Sequence, residues 1–198
     1  MLSLTSAVSI LVMTLFYDGI VAPHFISIGI SKDLIGYLFG CQALLYTIFS
    51  PLVGLLAKRY PVRYITQLSF FVGASAIFMM GPSQLLDLPL KSIALSVFGF
   101  IILGINIATV FVPLLPDVID AVEEKEGKRD YSMINDKASA AFNIAGSLGT
   151  IIGPILGGAL SDQFGFIGTC DILASAGFIL GAVYFVVAIM PNMRVKKA

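Results

Sequence analysis

Asp18 stands in the run L-F-Y-D-G-I-V-A-P-H, with apolar residues on both sides. A carboxylate near the centre of a membrane-crossing helix costs at least ~2.5 kcal/mol on insertion scales, so it is expected to face a cavity or a partner. One chemistry that repays this cost is binding of a proton or cation, the carboxyl exchanging its proton as the site alternates between wet and dry. The other reading is structural: an acid satisfied by a neighbouring Tyr, Asn or backbone amide. Tyr17 and Gly19 flank Asp18, and Pro23 is expected to bend the helix close to it. His24, one residue beyond that proline, either relays protons or anchors the end of the span at the interface.

Other polar residues fall at membrane depth. Gln42 and Tyr46 are four apart and share one helical face; Asn106 and Thr109 sit in a later apolar run, and Asn143 in another. These five either line a solute cavity or act as interhelical hydrogen-bond glue worth under ~1 kcal/mol each. Asp171 comes early in the last apolar run, at interfacial depth. Asp117 and Asp120 follow P-L-L-P. They either end a helix in water or pair with Lys58, Arg59 or Arg63 across a cytoplasmic gate, where an exposed pair worth ~0–1 kcal/mol is easily broken each cycle.

No enzyme or metal site assembles from these residues. Ser147, in A-G-S-L-G, is the one serine inside a glycine cluster, and no spacing brings the lone histidine to it. There is no metal-ligand cluster and no phosphate-cradling loop, so neither metal nor cofactor is expected. The formal net charge of zero gives no handle for nucleic acid. Cys41 and Cys170 both fall in apolar runs and read as packed thiols.

The elements that must position these residues follow from composition. Of 198 residues 58% are apolar and only 12% charged, against about 25% charged in soluble domains. This is a membrane protein, all-α, with the lipid bilayer as its solvent. A hydrocarbon core of about 30 Å needs roughly 20 mostly apolar residues per helix. Six stretches qualify, approximately Leu4–Ser27, Leu34–Ala57, Val62–Gly81, Ser92–Pro116, Ala138–Leu160 and Ile167–Met190. The first lacks a cationic leader and a cleavage site, and so reads as a span. Between the fourth and fifth, Ala121–Asp136 is expected to be a solvated cytoplasmic loop. Lys58, Arg59 and Arg63, then Lys125, Lys128, Arg129 and Lys137, then Arg194, Lys196 and Lys197 lie on one face, with Lys32 and Lys91 on the other. Cationic residues are retained inside, so both termini are predicted cytoplasmic. Pro23 in the first triplet of spans and Pro113 and Pro116 in the second suggest a three-plus-three inverted repeat.

From Asn143 to Phe166 a ladder of Gly146, Gly149, Gly153 and Gly157 runs down an apolar helix, with Pro154 expected to kink it. Gly149 and Gly153 form G-x-x-x-G, which lets another helix backbone approach closely.

These residues resemble a known pattern over essentially the whole chain: the C-terminal six-helix half of a major facilitator superfamily transporter. Gly54–Arg63, G-L-L-A-K-R-Y-P-V-R, is similar to the cytoplasmic loop motif G-x-L-x-D-R-x-G-R-R, with Lys58 where the motif has aspartate and Pro61 where it has glycine. G-T-I-I-G-P, from Gly149 to Pro154, resembles the antiporter motif G-x-x-x-G-P, and I-S-K-D-L-I-G-Y-L-F-G resembles the entry to the eighth helix. The nearest branch is the drug:proton antiporters and vesicular amine transporters. There an acid ahead of a proline in the seventh helix serves proton coupling or substrate recognition, the position of Asp18. That branch also has acids in helices ten and eleven, where this chain has Ala108 and Asn143.

The resemblance implies secondary active transport of a small organic solute, proton-coupled antiport by alternating access. It also implies a second six-helix half, either a missing N-terminal one or a self or hetero partner. The alternative is a non-transporting membrane adaptor or partner subunit. In the two-half architecture the glycine ladder, and Gly36, Gly40, Ala43, Ser50 and Gly54 on the second span, would face the seam between halves.

Overall fold

The computed structural model describes residues 2–83, 92–126 and 131–190. Lys91, Lys128, Arg129, Arg194, Lys196 and Lys197, part of the orientation argument, lie outside them. The described residues are all helical apart from short connections: α1 Leu2–Leu15, α2 Val21–Ser27, α3 Lys32–Arg59, α4 Val62–Met80, α5 Ile93–Glu126 and α6 Tyr131–Tyr184, followed by a π-helical turn Phe185–Ile189. In lipid a backbone polar group has no water to bond, so a helix, which satisfies its own groups, is what such a sequence adopts. Four of these segments are long and apolar enough to cross a membrane: Lys32–Arg59, Val62–Met80, Ile93–Glu123 and Ser132–Val187.

The helix expected over residues 4–27 is two helices. α1 stops at Leu15 and the chain turns through 16–20 before α2. Pro23 has no N–H to give the carbonyl of Gly19, and the amides of Ile20 and Val21 both turn to the Tyr17 carbonyl, at 3.0 and 2.9 Å. Asp18 therefore sits in a break and not in a helix. α3 begins at Ser31, whose Oγ accepts from the Leu34 amide at 3.4 Å; Asp33 in the first turn and Lys58 and Arg59 in the last complement the helix dipole.

The expected loop over residues 121–136 is largely helix. α5 runs through Pro113 and Pro116 and on to Glu126, and α6 starts at Tyr131. The run A-V-E-E-K-E is made mostly of good helix formers, which carries the helix past the last proline.

The kink expected at Pro154 lies elsewhere. The Pro154 backbone is helical, and the non-helical residue of α6 is Gly165, at φ 71 and ψ 172. A straight helix of 54 residues would be about 80 Å long, far more than a ~30 Å core. Its contacts show how it fits. Gly149, Gly153 and Gly157 meet Leu11, then Val12 to Phe16, then Phe16, in rising order along α1. Beyond Gly165 the order falls, with Phe166 against His24 and Gly177 against Met13. The two arms of α6 run in opposite directions, and the positive φ at Gly165, which side chains other than glycine's rarely allow, makes the turn.

α5 is central, packing against α1, α3, α4 and α6. Gly99 meets the backbone of Ala76 and Met80, and Gly104 the backbone and Cγ of Gln42. Phe100 stands edge-on to Tyr17, Phe25 and Phe39, with ring centroids 5.8, 5.4 and 5.1 Å away. This aromatic core sits directly beneath the break that carries Asp18.

Candidate functional site

The break between α1 and α2 gathers the polar residues of the upper bundle. Asp18 and Gly19 are exposed, while Tyr17 is buried with its hydroxyl pointing inward. Gln42 Nε2 donates to Tyr17 Oη at 2.7 Å, tying α3 to the break. Gln42 is itself buried because Gly104 leaves room for its stem. From the other side Pro154 of α6 abuts Gly19, its Cβ 3.9 Å from where a Gly19 side chain would begin. His24 lies flat on Phe166, with centroids 3.9 Å apart and planes 10° apart, and its Nε2 is buried without a hydrogen-bond partner among the described residues. The exposed acid is thus held by a rigid frame of four elements, with no charge of its own sign or the other bonded to it among the described residues.

Two further polar groups lie below. In the first, Ser69 Oγ lies 2.9 Å from the carbonyls of both Ile65 and Thr109, and Thr109 Oγ1 donates to the Asn106 carbonyl at 2.8 Å. Thr14, Ser69 and Asn106 line a cavity of about 10 Å³ with Met13, Phe70 and Gly73. In the second, Arg63 at the start of α4 acts electrostatically on Asp117 and Asp120 of α5, and Tyr184 lies in the same field and bonds Thr66. Gln67 Nε2 donates to the Gly181 carbonyl at 3.0 Å nearby.

The sequence candidates separate accordingly. Asp18, Tyr17 and Gln42 come together, and His24 lies along the same helix pair. Asn106 and Thr109 turn into the bundle. Tyr46 and Asn143 are on exposed faces, so they share no pocket with the others. Gly54 touches Val112 of α5. Of the three basic residues proposed for the gate, Arg63 faces the acids, while Lys58 and Arg59 are exposed at the end of α3. Cys41 is half-buried, Cys170 buried against Gly81, and Asp171 buried. Thr14, Thr66, Gln67, Ser69 and Tyr184 were not singled out by sequence; Ser and Thr are common in helices, and only the turn of each helix marks which face inward.

Residues 2–197 match the family model of the Major Facilitator Superfamily. The chain belongs to that superfamily. The human MFS-type transporter SLC18B1 is 29% identical over 134 residues, covering 67% of this chain and 29% of its own length. Its mouse counterpart is 28% identical over 139 residues, 69% of this chain and 30% of its own. The uncharacterized MFS-type transporter MJ1560 of Methanocaldococcus jannaschii is 31% identical over 170 residues, 81% of this chain and 39% of its own. The chain therefore spans about a third of the length of the curated relatives it matches. No solved structure gives a significant match. Membership makes this facilitator chain a multi-pass integral membrane protein of a transporter family, not an enzyme.

Proposed function

We propose that the chain forms one six-helix half of a secondary active transporter for a small organic solute, coupled to protons through Asp18. Six crossings follow if α1 with α2 makes one and the two arms of α6 make two. The alternating directions of α6 and the break shared by α1 and α2 support that count, and the three-plus-three inverted repeat rests on it. Both termini lie on the cytoplasmic side, with Arg63, Asp117 and Asp120 as the gate at that face. The branch is that of the drug:proton antiporters and vesicular amine transporters, and a second half completes the solute site by alternating access.

The observation that carries this reading is the position of Asp18. Its break leaves it exposed on the bundle surface, where it can take up and release a proton, while the Tyr17–Gln42 bond and Pro154 hold the backbone beneath it. An acid at membrane depth faces the bundle interior or a water-filled cavity, so an exposed Asp18 calls for a wet surface opposite it, which a second half would supply.

The test is made with the complete two-half assembly in sealed vesicles, imposing a pH gradient and following an internal pH indicator while a panel of organic cations and anions is added. Solute-dependent proton movement is expected in the unaltered protein and not in Asp18→Asn, which keeps the side-chain shape. A gradient response that survives in Asp18→Asn removes the proton assignment.

A further inference from the structure

The small cavity between α1, α4 and α5 is separate from the break. Asn106 is 2% exposed, and its Nδ2 stands over Gly73, 2.6 Å from where a Cβ on Gly73 would sit. The amide oxygen faces Thr109 Oγ1 at 3.2 Å, sharing the one hydrogen that Thr109 also gives the Asn106 carbonyl. No acceptor is bonded to Nδ2 among the described residues, although the side chain is almost wholly buried. The amide opens onto the cavity, so a small polar molecule placed there supplies the acceptor that the neighbouring helices do not.

We propose that this cavity is a binding site for a single water molecule held by Asn106, Ser69 and Thr14. The donors and acceptors fit one water and nothing larger. Thr14 Oγ1 spends its hydrogen on the Ile10 carbonyl at 2.7 Å, and Ser69 Oγ spends its own on one of two carbonyls. Both hydroxyls keep a lone pair, and each then accepts one hydrogen of the water, whose oxygen accepts from Asn106 Nδ2. That is three bonds, the usual number for a buried water, in a space of about 10 Å³ that meets the lower limit for holding one. An organic solute is excluded by size. The water joins the helix ahead of the break to α4 and α5 without requiring a direct bond between helices, so it fixes the height of α1 while leaving the contact remakeable. This holds whether or not Asp18 carries protons.

The experiment is pulsed X-ray radiolysis of the folded chain in lipid nanodiscs, read by mass spectrometry. Hydroxyl radicals form from waters in place, and a thioether beside one is oxidised first. Met13 lines the cavity, while Met80 is fully buried in the apolar core and serves as the dry control. Met13 is expected to oxidise several-fold faster than Met80, and Thr14→Val and Asn106→Leu, both close in shape, to bring Met13 down toward the Met80 rate. Thr14→Val alone keeps the test decisive if Asn106→Leu does not fold. Equal rates for Met13 and Met80 in the unaltered chain, or a Met13 rate unmoved by Thr14→Val, overturn the site. A Met13 rate that falls when sodium chloride replaces choline chloride at equal ionic strength assigns the cavity to a sodium ion and overturns it as well.

Discussion

Two glycine-bearing helix faces in this bundle meet opposite fates. On α6, Gly149, Gly153 and Gly157 are filled by the α1 backbone: a Cβ on Gly149 would stand 2.7 Å from the Leu11 Cβ, and one on Gly153 would be 3.2 Å from backbone atoms of Val12, Leu15 and Phe16. At Gly157 the Phe16 carbonyl oxygen occupies the place of a side chain. On α3, Gly36 and Gly40 have nothing within 4 Å, and α3 is the least buried of the membrane-length helices. The sequence pattern reads alike for both, small residues at i and i+4, and both were expected to face a second half. Gly149, Gly153 and Gly157 instead pack within the chain, while Gly146 has nothing within 4 Å. A small-residue stripe says that some backbone can approach; which one approaches is decided by where the helix lies, and α6 lies beside the end of α1.

The strongest way to break this comparison is Gly157→Leu against Gly40→Leu. At Gly157 the obstruction is a backbone carbonyl, which cannot rotate aside, so the cost is expected at or above the ~1–3 kcal/mol usual for overpacking. Gly40→Leu should leave the unfolding midpoint of this chain unchanged, measured by denaturant titration in detergent micelles. Equal losses at both positions would mean that the open face of α3 is packed inside the chain no less tightly than the ladder. A loss at neither would mean that α1 and α6 can separate. Gly40→Leu acquires a cost of its own once a second half is present, if the proposed assembly uses that face.

A smaller effect is expected where charges repeat the same division. Lys58 and Arg59 end α3 in the open, and Arg63 at the start of α4 faces Asp117, which is 7% exposed. Removing the counter-charge of a buried acid costs about 1–3 kcal/mol. Arg63→Gln is therefore expected to lower stability by that amount, and Lys58→Gln by close to nothing, since exposed charges contribute ~0–1 kcal/mol. Comparable losses from both would place Lys58 in the acid cluster despite its exposure.

The all-helical class and the membrane character were legible because lipid imposes one rule everywhere: about 20 apolar residues, all backbone groups internally bonded. Asp18 was legible for the same reason, as an acid out of place in such a run. The break around it was legible only as a bend, because Pro23 signals a missing donor but not how far the helix unwinds to accommodate it. The reversal at Gly165 falls in the gap expected between the spans 138–160 and 167–190; what the run S-D-Q-F-G-F could not show is that the helix continues unbroken up to one glycine, whose positive φ makes the whole turn. The helical reach of α5 past Pro116 was masked by charge, since E-E-K-E looks like a loop by polarity and like a helix by propensity. The Tyr17–Gln42 bond joins residues 25 apart, and nothing in either local run points to the other.

That bond gives the finest test, because it lies on the inner face of the helix whose outer face is empty. If α3 is held to the bundle by its inner face alone, its few buried residues, Ile35, Leu38, Gln42 and Val53, must carry the attachment, and Gln42 is the polar one. Hydrogen bonds between membrane helices average ~0.6 kcal/mol and reach ~1.7, so Gln42→Leu and Tyr17→Phe should each cost about that much. The double variant should cost less than the sum of the two, because the partner of a bond already lost has nothing more to lose. An additive result would mean that the 2.7 Å contact is not a bond the bundle depends on. In that case Gln42 is placed by Gly104 alone, and packing rather than polarity sets the inner face of α3.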